Sequence, residues 1–392
     1  SQNIAINAGY AIIDAHVVRG DLEGTRTWTE ELASRNCGSD EERAKFAGEL
    51  RTIGNAVRFQ EAQVLFDAGA FEAAADRYVA LVDEAPDDSQ ADRALNNAAV
   101  AYEEIGRFGS ATRTYERIYT DYPDSEFADD ALLRTGFNHA RFFEYEQAVT
   151  KYLVLAEDER YATSEHRLLA LKNAAALMEN LQDYERAGDL FRKWSEKSED
   201  PNEQAEGLFR AAVVTGKRGA QRATVKAYKR YLAKHGNDAS EGPRAVEAQL
   251  QIGLAYEEMG RRKDADKAYR ACVAEFNRRG LEPASDAAEF PAQAQFLLAE
   301  RTLTKVLKVK ISGTGKKMEK SVKNLFDRVL AASQAYDQVF PFRRLDWTLA
   351  GMYRRGFAFE DVAEKIRTAP VPKQLTEFSE PWFAYKDIVA NE

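Results

Sequence analysis

Apolar positions along this chain fall at helical spacing in short blocks, and the blocks themselves recur. Between Asp92 and Pro123, Leu95, Ala98, Ala99 and Tyr102 stand at i, i+3, i+4 and i+7, which puts all four on one face of a helix. Gly106 ends that helix, because glycine enters the left-handed conformation at little cost. Phe108 fills the turn, a second helix presents Ala111, Tyr115 and Ile118, and Pro123 closes the segment. Small side chains at Ala99 and Ala111 let the two helices approach closely, and the Tyr115 ring is expected to fill space against the neighbouring pair.

The same phrase returns. Ala74, Ala111, Ala148, Ala187 and Ala265 are each followed four residues later by an aromatic: Tyr78, Tyr115, Tyr152, Phe191 and Tyr269. Thr224 with Tyr228 fills the gap between the last two, and Gly24 with Trp28 adds a copy upstream. Most copies lie 37 to 41 residues apart, the signature of one supersecondary unit stacked repeatedly as a solenoid. A chain of 392 residues exceeds what one hydrophobic core normally serves, and the periodicity favours a repeat array over separate globules.

On these residues the chain resembles the tetratricopeptide repeat family, whose unit is an antiparallel helix pair with small residues at repeat positions 8 and 20, large ones at 4, 7, 11, 17 and 24, and often Pro at 32. Ala62, Leu65, Gly69, Phe71, Ala74, Tyr78, Leu81 and Pro86 follow that order, as do Leu132, Gly136, Tyr145, Ala148, Tyr152 and Leu155. Three further copies run through Leu171, Ala175, Met178, Tyr184, Ala187 and Phe191, through Leu208, Ala212, Thr224, Tyr228 and Tyr231, and through Gly253, Tyr256, Ala265 and Tyr269. A weaker first copy surrounds Ala11, Ala15, Gly24 and Trp28. The implied fold is all-α: an α-solenoid of about seven such hairpins, with N-terminal helices and a degenerate repeat over 1–54, six repeats over 55–280, and a degenerate helical C-terminal region over 281–392. Extra residues sit at the joints, as in Pro86-Asp87-Asp88-Ser89, and Ser89 with Asp92 predicts a capping box on the next helix.

Past Gly280 the pattern lapses. Pro283 and Pro291 are expected to bracket a polar connector, followed by one helix through Phe296, Leu297, Leu303, Val306 and Leu307, a loop at Ser312-Gly313-Thr314-Gly315, and a second helix through Leu325, Val329, Ala332, Tyr336 and Val339. Phe340-Pro341-Phe342 breaks it. Trp347, Ala350, Gly351 and Tyr353, then Phe357, Phe359, Val362 and Ile366, predict a degenerate helix pair ended by Pro370 and Pro372. Trp382, Phe383 and Tyr385 make the closing segment too apolar for a free tail, so it packs back as a cap or belongs to a helix cut short.

Candidate chemistry is sparse. No two of His16, His139, His166 and His235 share a metal-ligand spacing, and His139, at repeat position 11, is expected to be a core residue with a satisfied ring. Gly313-Thr314-Gly315-Lys316 lacks the leading Gly of a phosphate loop, where Lys310 stands, and the Ser or Thr after the Lys, where Lys317 stands. Acidic pairs such as Glu103-Glu104 and Asp129-Asp130 read as solvated helix faces, because acid–base work needs an enclosed pocket. Cys272 falls where a small buried residue is expected, and a bridge to the distant Cys37 would exceed the reach of a disulfide. Neither cofactor nor metal is predicted, and the chain reads as no enzyme.

A formal charge of −9 argues against general nucleic-acid binding. Two basic runs stand out nevertheless: Lys217, Arg218, Arg222, Lys226, Lys229, Arg230 and Lys234 without an intervening acid, and Lys305, Lys308, Lys310, Lys316, Lys317, Lys320 and Lys323 interrupted by Glu319 alone. They are either solvated outer faces or docking points for an acidic partner or anionic surface. No window approaches the length of apolar sequence that spans a membrane.

The resemblance points to a binding groove. In the family, first-helix positions 5 and 9 help line a concave surface, and here they read Phe59 and Gln63, Asn96 and Val100, Leu133 and Phe137, Lys172 and Ala176, Phe209 and Val213, Leu250 and Leu254. So apolar a stripe suits a partner helix or extended segment, or else is buried by packing within the array. Gln63, Asn96 and Arg134 do not reproduce the carboxylate clamp of the chaperone-binding subfamily.

The implied function is a non-enzymatic scaffold holding partner proteins or peptides in that groove. Alternatives are a regulatory or substrate-feeding domain of a larger enzyme, or a cytoplasmic peptide-binding adaptor. The phrase YPDSEFADDALLRTGFNHARFFEYEQAVTKY at 122–152 resembles the repeat variety common in bacterial cell-envelope proteins, including outer-membrane assembly lipoproteins, a likeness that covers roughly residues 55 to 200 and implies the periplasm and a motility, secretion or outer-membrane assembly complex. No lipoprotein cleavage site precedes Cys37, so a lipid anchor is not implied. The chain opens at Ser1 with neither an initiator Met nor a charged-then-apolar leader, which reads as a trimmed or mature form.

Overall fold

The computed structural model describes residues 2–35, 39–313, 316–371 and 375–391, the side chains of 2, 3, 385 and 388–391 excepted. Cys37, Thr314, Gly315 and Pro372 lie outside the described residues, as does the side chain of Tyr385. Among the described residues there are eighteen α-helices, four short 3-10 turns and no strand. The chain divides into two compact units, residues 1–183 and 184–392. Neither boundary of the expected three-part division, after 54 and after 280, coincides with this one.

In the first unit, α1 (Gln2–Arg19) and α2 (Leu22–Ala33) precede α3 (Asp40–Asp67) and α4 (Phe71–Glu84), then α5 (Ala91–Glu104) and α6 (Phe108–Asp121), α7 (Ala128–Arg141) and α8 (Tyr145–Glu157), and finally α9 (Arg167–Asn180). Each packs against its neighbours in the chain, as a stacked array requires. α3 runs unbroken through residue 54, opened by a capping box in which Ser39 and Glu42 exchange hydrogen bonds. The capping box expected at Ser89 and Asp92 does not form: Gln90 is the N-cap of α5. Asp88 Oδ1 accepts the Gln90 N–H at 2.9 Å, while Asp92 accepts from the Ser125 hydroxyl of the following joint at 2.6 Å.

The second unit holds α10 (Tyr184–Lys197), α11 (Pro201–Lys217), α12 (Gln221–His235), α13 (Gly242–Glu258), α14 (Arg262–Arg278), α15 (Glu289–Leu307), α16 (Lys316–Asp337), α17 (Leu345–Arg367) and α18 (Glu380–Asn391). Its core includes Phe209, Tyr228, Tyr231, Tyr269, Phe276 and Phe342. Cys272 is a free thiol wholly buried in that core, and burial pushes its pKa up.

Six of the seven signature pairs are buried, Ala74, Ala111, Ala148, Ala187, Thr224 and Ala265 with the aromatic four residues beyond each, while Gly24 and Trp28 of the upstream copy are only half-buried. An eighth instance, Ala332 with Tyr336, is equally buried on α16, facing Ala299 and Leu303 of α15. The C-terminal region is therefore more repeat-like than its sequence suggests. The connector before it ends at Ala288, and Pro291 lies buried in the first turn of α15, where a missing N–H costs nothing. Residues 345–367 form one helix instead of the expected pair, because Gly356 alone supplies no turn. Helix α18 touches α17, and its Phe383 remains 50 % exposed.

Candidate partner-binding site

The signature rings build the first-helix face from beneath. A Cβ on Gly136 would stand only 2.7 Å from Cδ1 and 2.9 Å from Cζ of Tyr152, and one on Gly253 would strike the Tyr269 ring in the same way. The residue at repeat position 8 is small because the second-helix ring lies against it. The rings also reach forward: the Tyr78 hydroxyl donates to Gln63 at 2.9 Å and accepts from Asn97 of the next pair at 3.3 Å. The Tyr78 ring thus joins its own pair to the one that follows.

Along this face the expected contact residues separate by exposure. Leu133, Phe209 and Leu250 are buried, so they serve packing between helices. Phe209 sits edge-on to Tyr228 and Tyr231, at 5.8 and 5.2 Å, with the Arg244 guanidinium over it. Phe59, Gln63, Asn96, Val100, Lys172, Val213 and Leu254 are half-buried. Phe59 leans edge-on against Tyr78 at 5.1 Å. Gln63 is occupied by Tyr78 and by Asp67, to which it donates at 2.8 Å. Phe137 stands apart at 44 % exposure, its ring edge-on to Tyr152 at 5.8 Å.

Phe137 lines an open cleft of about 740 Å³ between the C-terminal ends of α5 and α7, with Glu103, Glu104, Phe108, Arg134 and Arg141 around it. The Arg141 guanidinium caps the Phe108 ring at 4.1 Å. Glu103 organises the floor: it accepts from Arg134 Nη1 at 2.9 Å, Asn138 Nδ2 at 3.0 Å and the Tyr115 hydroxyl at 3.2 Å. Burial, then the Glu103 charge, pushes the Tyr115 pKa up, so its proton remains available to that hydrogen bond. Arg134 is further held by Asp130 at 2.7 Å. The result is a rigid, amphipathic cleft: one solvent-facing ring, a capped second ring and charges of both signs fixed by their neighbours.

Glu103, Phe108, Asn138 and Arg141 were not among the residues expected here. Glu103 occupies first-helix position 12, a groove-lining position in the family, so the signal was present. Phe108 and Arg141 come together only through the stacking of successive pairs, which no single repeat records.

The remaining candidates carry no catalytic constellation. His139 is mostly buried at the end of α7, as expected, with Nδ1 paired to Glu144 at 2.7 Å, but its Nε2 has no hydrogen bond among the described residues, so the ring is only half satisfied. Among the described residues no cluster of three or more His, Cys, Asp or Glu could hold a metal ion. No described helix is long and apolar enough to cross a membrane.

Comparison with known proteins agrees on the repeat. Residues 93–125 and 247–276 match the tetratricopeptide repeat family, the first spanning α5 and α6 and the second falling on α13 and α14. No curated protein matches the chain. Among solved structures, the MamA protein is 16 % identical, over 50 % of this chain and 98 % of that one, with a TM-score of 0.35. The C-terminal part of a tetratricopeptide repeat-containing protein from Cytophaga hutchinsonii is 14 % identical, over 71 % and 98 %, with a TM-score of 0.40. YrrB, described as a tetratricopeptide repeat protein with an unusual peptide-binding site, is 12 % identical over 51 % and 93 %, with a TM-score of 0.33.

Proposed function

We propose that this protein is a non-enzymatic interaction scaffold that holds a partner polypeptide on the first-helix face of its first unit, centred on the cleft around Phe137. One observation carries the reading: an aromatic ring 44 % exposed at a groove position, over a floor whose polar groups are already hydrogen-bonded to each other. An exposed ring in a preorganised cleft offers apolar area with little ordering cost, which is what a binding anchor needs. Phe59 and Val100 extend the apolar stripe, and Asn96 and Lys172 are placed to satisfy a partner's backbone. In the second unit Val213 and Leu254 offer smaller contacts.

The setting we propose is a multiprotein complex of the bacterial cell envelope, in the periplasm, supported by the resemblance of residues 122–152 alone. Phe137→Ser tests the site. Partner recovery in a mildly crosslinked affinity purification, quantified by mass spectrometry, falls at least tenfold while far-UV circular dichroism is unchanged. Unchanged recovery moves the site elsewhere.

A further inference from the structure

Arg218, Lys226, Lys229 and Arg230 of the first basic run and Lys305 and Lys308 of the second line clefts on the opposite, second-helix face of the second unit, together with further cations of α10, α14 and α15. Three clefts recur there, each between successive second helices with a first helix as floor. One of about 340 Å³ lies between α10 and α12 over α11, one of about 330 Å³ between α12 and α14 over α13, and one of about 610 Å³ between α14 and α16 over α15. Their floors are apolar, with Leu208, Ile252 and Leu298 in turn.

The rims are basic. Eleven Lys and Arg line the three clefts against four Asp and Glu, and every one of those four acids is already engaged. Glu185 pairs with Arg218, Asp189 with Arg192, Asp264 with Arg261 and Asp266 with Arg301. Lys226, Arg262, Lys267, Arg270, Lys305 and Lys308 line the clefts and are exposed, and none has an ion-pair partner among the described residues. In the second unit Arg218 and Arg230 are answered by Glu185 and Glu196 of the preceding second helix, and on the corresponding face of the first unit such pairing prevails, Arg113 excepted. There Arg107 pairs with Glu72 at 2.6 Å, Arg117 with Asp83 at 2.9 Å and Lys151 with Glu116 at 3.0 Å, each cation answered by the preceding second helix. A merely solvated face would intersperse the two signs in this way. Six uncompensated cations on a chain of net charge −9 are a local departure that self-repulsion disfavours unless an anion meets them.

We propose that this face binds an acidic polypeptide, its carboxylates meeting the cationic rims and its apolar side chains entering the repeat-spaced clefts. The apolar floors favour such a peptide over a nucleic acid, whose phosphates would use the rims and leave the clefts unfilled. The site is independent of the Phe137 cleft, so Phe137→Ser leaves it intact.

The test uses the purified full chain and a fluorescein-labelled 20-residue peptide of alternating Glu and Leu pairs broken by Gly, read by anisotropy. Peptide binding is expected to weaken more than tenfold between 50 and 300 mM salt, as exposed charge pairs are screened beyond about 8–10 Å near physiological ionic strength. The triple variant Lys226→Glu, Arg270→Glu, Lys305→Glu is expected to lose at least tenfold more, the milder triple Gln variant less, and Arg113→Glu in the first unit nothing. A peptide with Ser for Leu should bind at least fivefold more weakly. No binding, salt-independent binding, equal affinity of the triple Glu variant while its circular dichroism is native, or tighter binding of a single-stranded oligonucleotide of matched charge would each overturn the proposal.

Discussion

Replacing Gly136 by Ala puts two effects in direct opposition, and the structure decides between them. In a helix interior Ala is favoured over Gly by about 1 kcal/mol. Against this, the new methyl enters space held by Tyr152, with ring atoms at 2.7 and 2.9 Å. That ring is buried and held by the Phe137 edge, so it has little room to swing. Overpacking of a rigid core costs about 1–3 kcal/mol, and with the ring immobile the upper part of that range applies. The expected net loss is about 1–2 kcal/mol. Gly48, in the third turn of α3, is the control: it is exposed, and a Cβ there meets nothing within 4 Å. Gly48→Ala should therefore gain the full propensity term of about 1 kcal/mol. Because repeat arrays open in parts, the assay pairs urea midpoints with hydrogen exchange resolved over residues 128–157. Opposite signs for the two variants support the packing account. If Gly136→Ala stabilises α7 and α8 as Gly48→Ala stabilises α3, the idea that the ring dictates the small residue fails.

Other consequences follow from the same geometry. Phe143 holds φ +62° and is 77 % exposed at the turn where Gly69, Gly106, Gly219 and Gly260 serve other pairs; Phe143→Gly should relieve about 1–2 kcal/mol of left-handed strain less the entropy of glycine, raising the urea midpoint, while Gly106→Phe lowers it. Burial raises the Glu300 pKa, but bidentate Arg354, at 2.7 and 2.6 Å, and the Tyr336 hydroxyl lower it more, for a net depression. Its stabilising contribution is thus complete above the ordinary carboxylate pKa of about 4.3 and disappears as pH falls through the depressed value; Glu300→Gln should flatten that part of an acid-unfolding curve. Cys272, buried and held as a thiol at neutral pH, should resist iodoacetamide in the native chain and alkylate fully in guanidinium, as peptide mass mapping will show.

The helix pairs were legible because a single demand, a small residue beneath a ring, is met at each repeat by residue types with few substitutes. Where another residue type met a backbone demand, the text went silent: Phe143 and Gln182 take the left-handed turn that glycine announces elsewhere. Ala332 with Tyr336 breaks the spacing, standing 67 residues beyond Ala265 (332 − 265) where most other copies lie 37 to 41 apart. Residues 345–367 carry two apolar clusters on one helix, and Gly356 between them is accommodated without a turn. The candidate site was legible at Phe137 and less so at its neighbours. Positions 5 and 9 give the direction of a side chain but not what packs over it, and Phe209 is covered by Tyr228 and Tyr231 of α12 and by Arg244 of α13. The clefts on the second-helix face need three helices at once, so the basic runs disclosed charge without disclosing shape.

Photocrosslinking tests the scaffold reading most directly. A benzophenone amino acid placed singly at Phe59, Val100 and Phe137, and at Arg113 on the second-helix face of the first unit, is irradiated in cells and the adducts identified by mass spectrometry. The account predicts one and the same polypeptide joined at the first three positions, with Phe137 giving the highest yield and Arg113 none. Adducts at Arg113 in equal yield, or three unrelated polypeptides at the three first-helix positions, would contradict it.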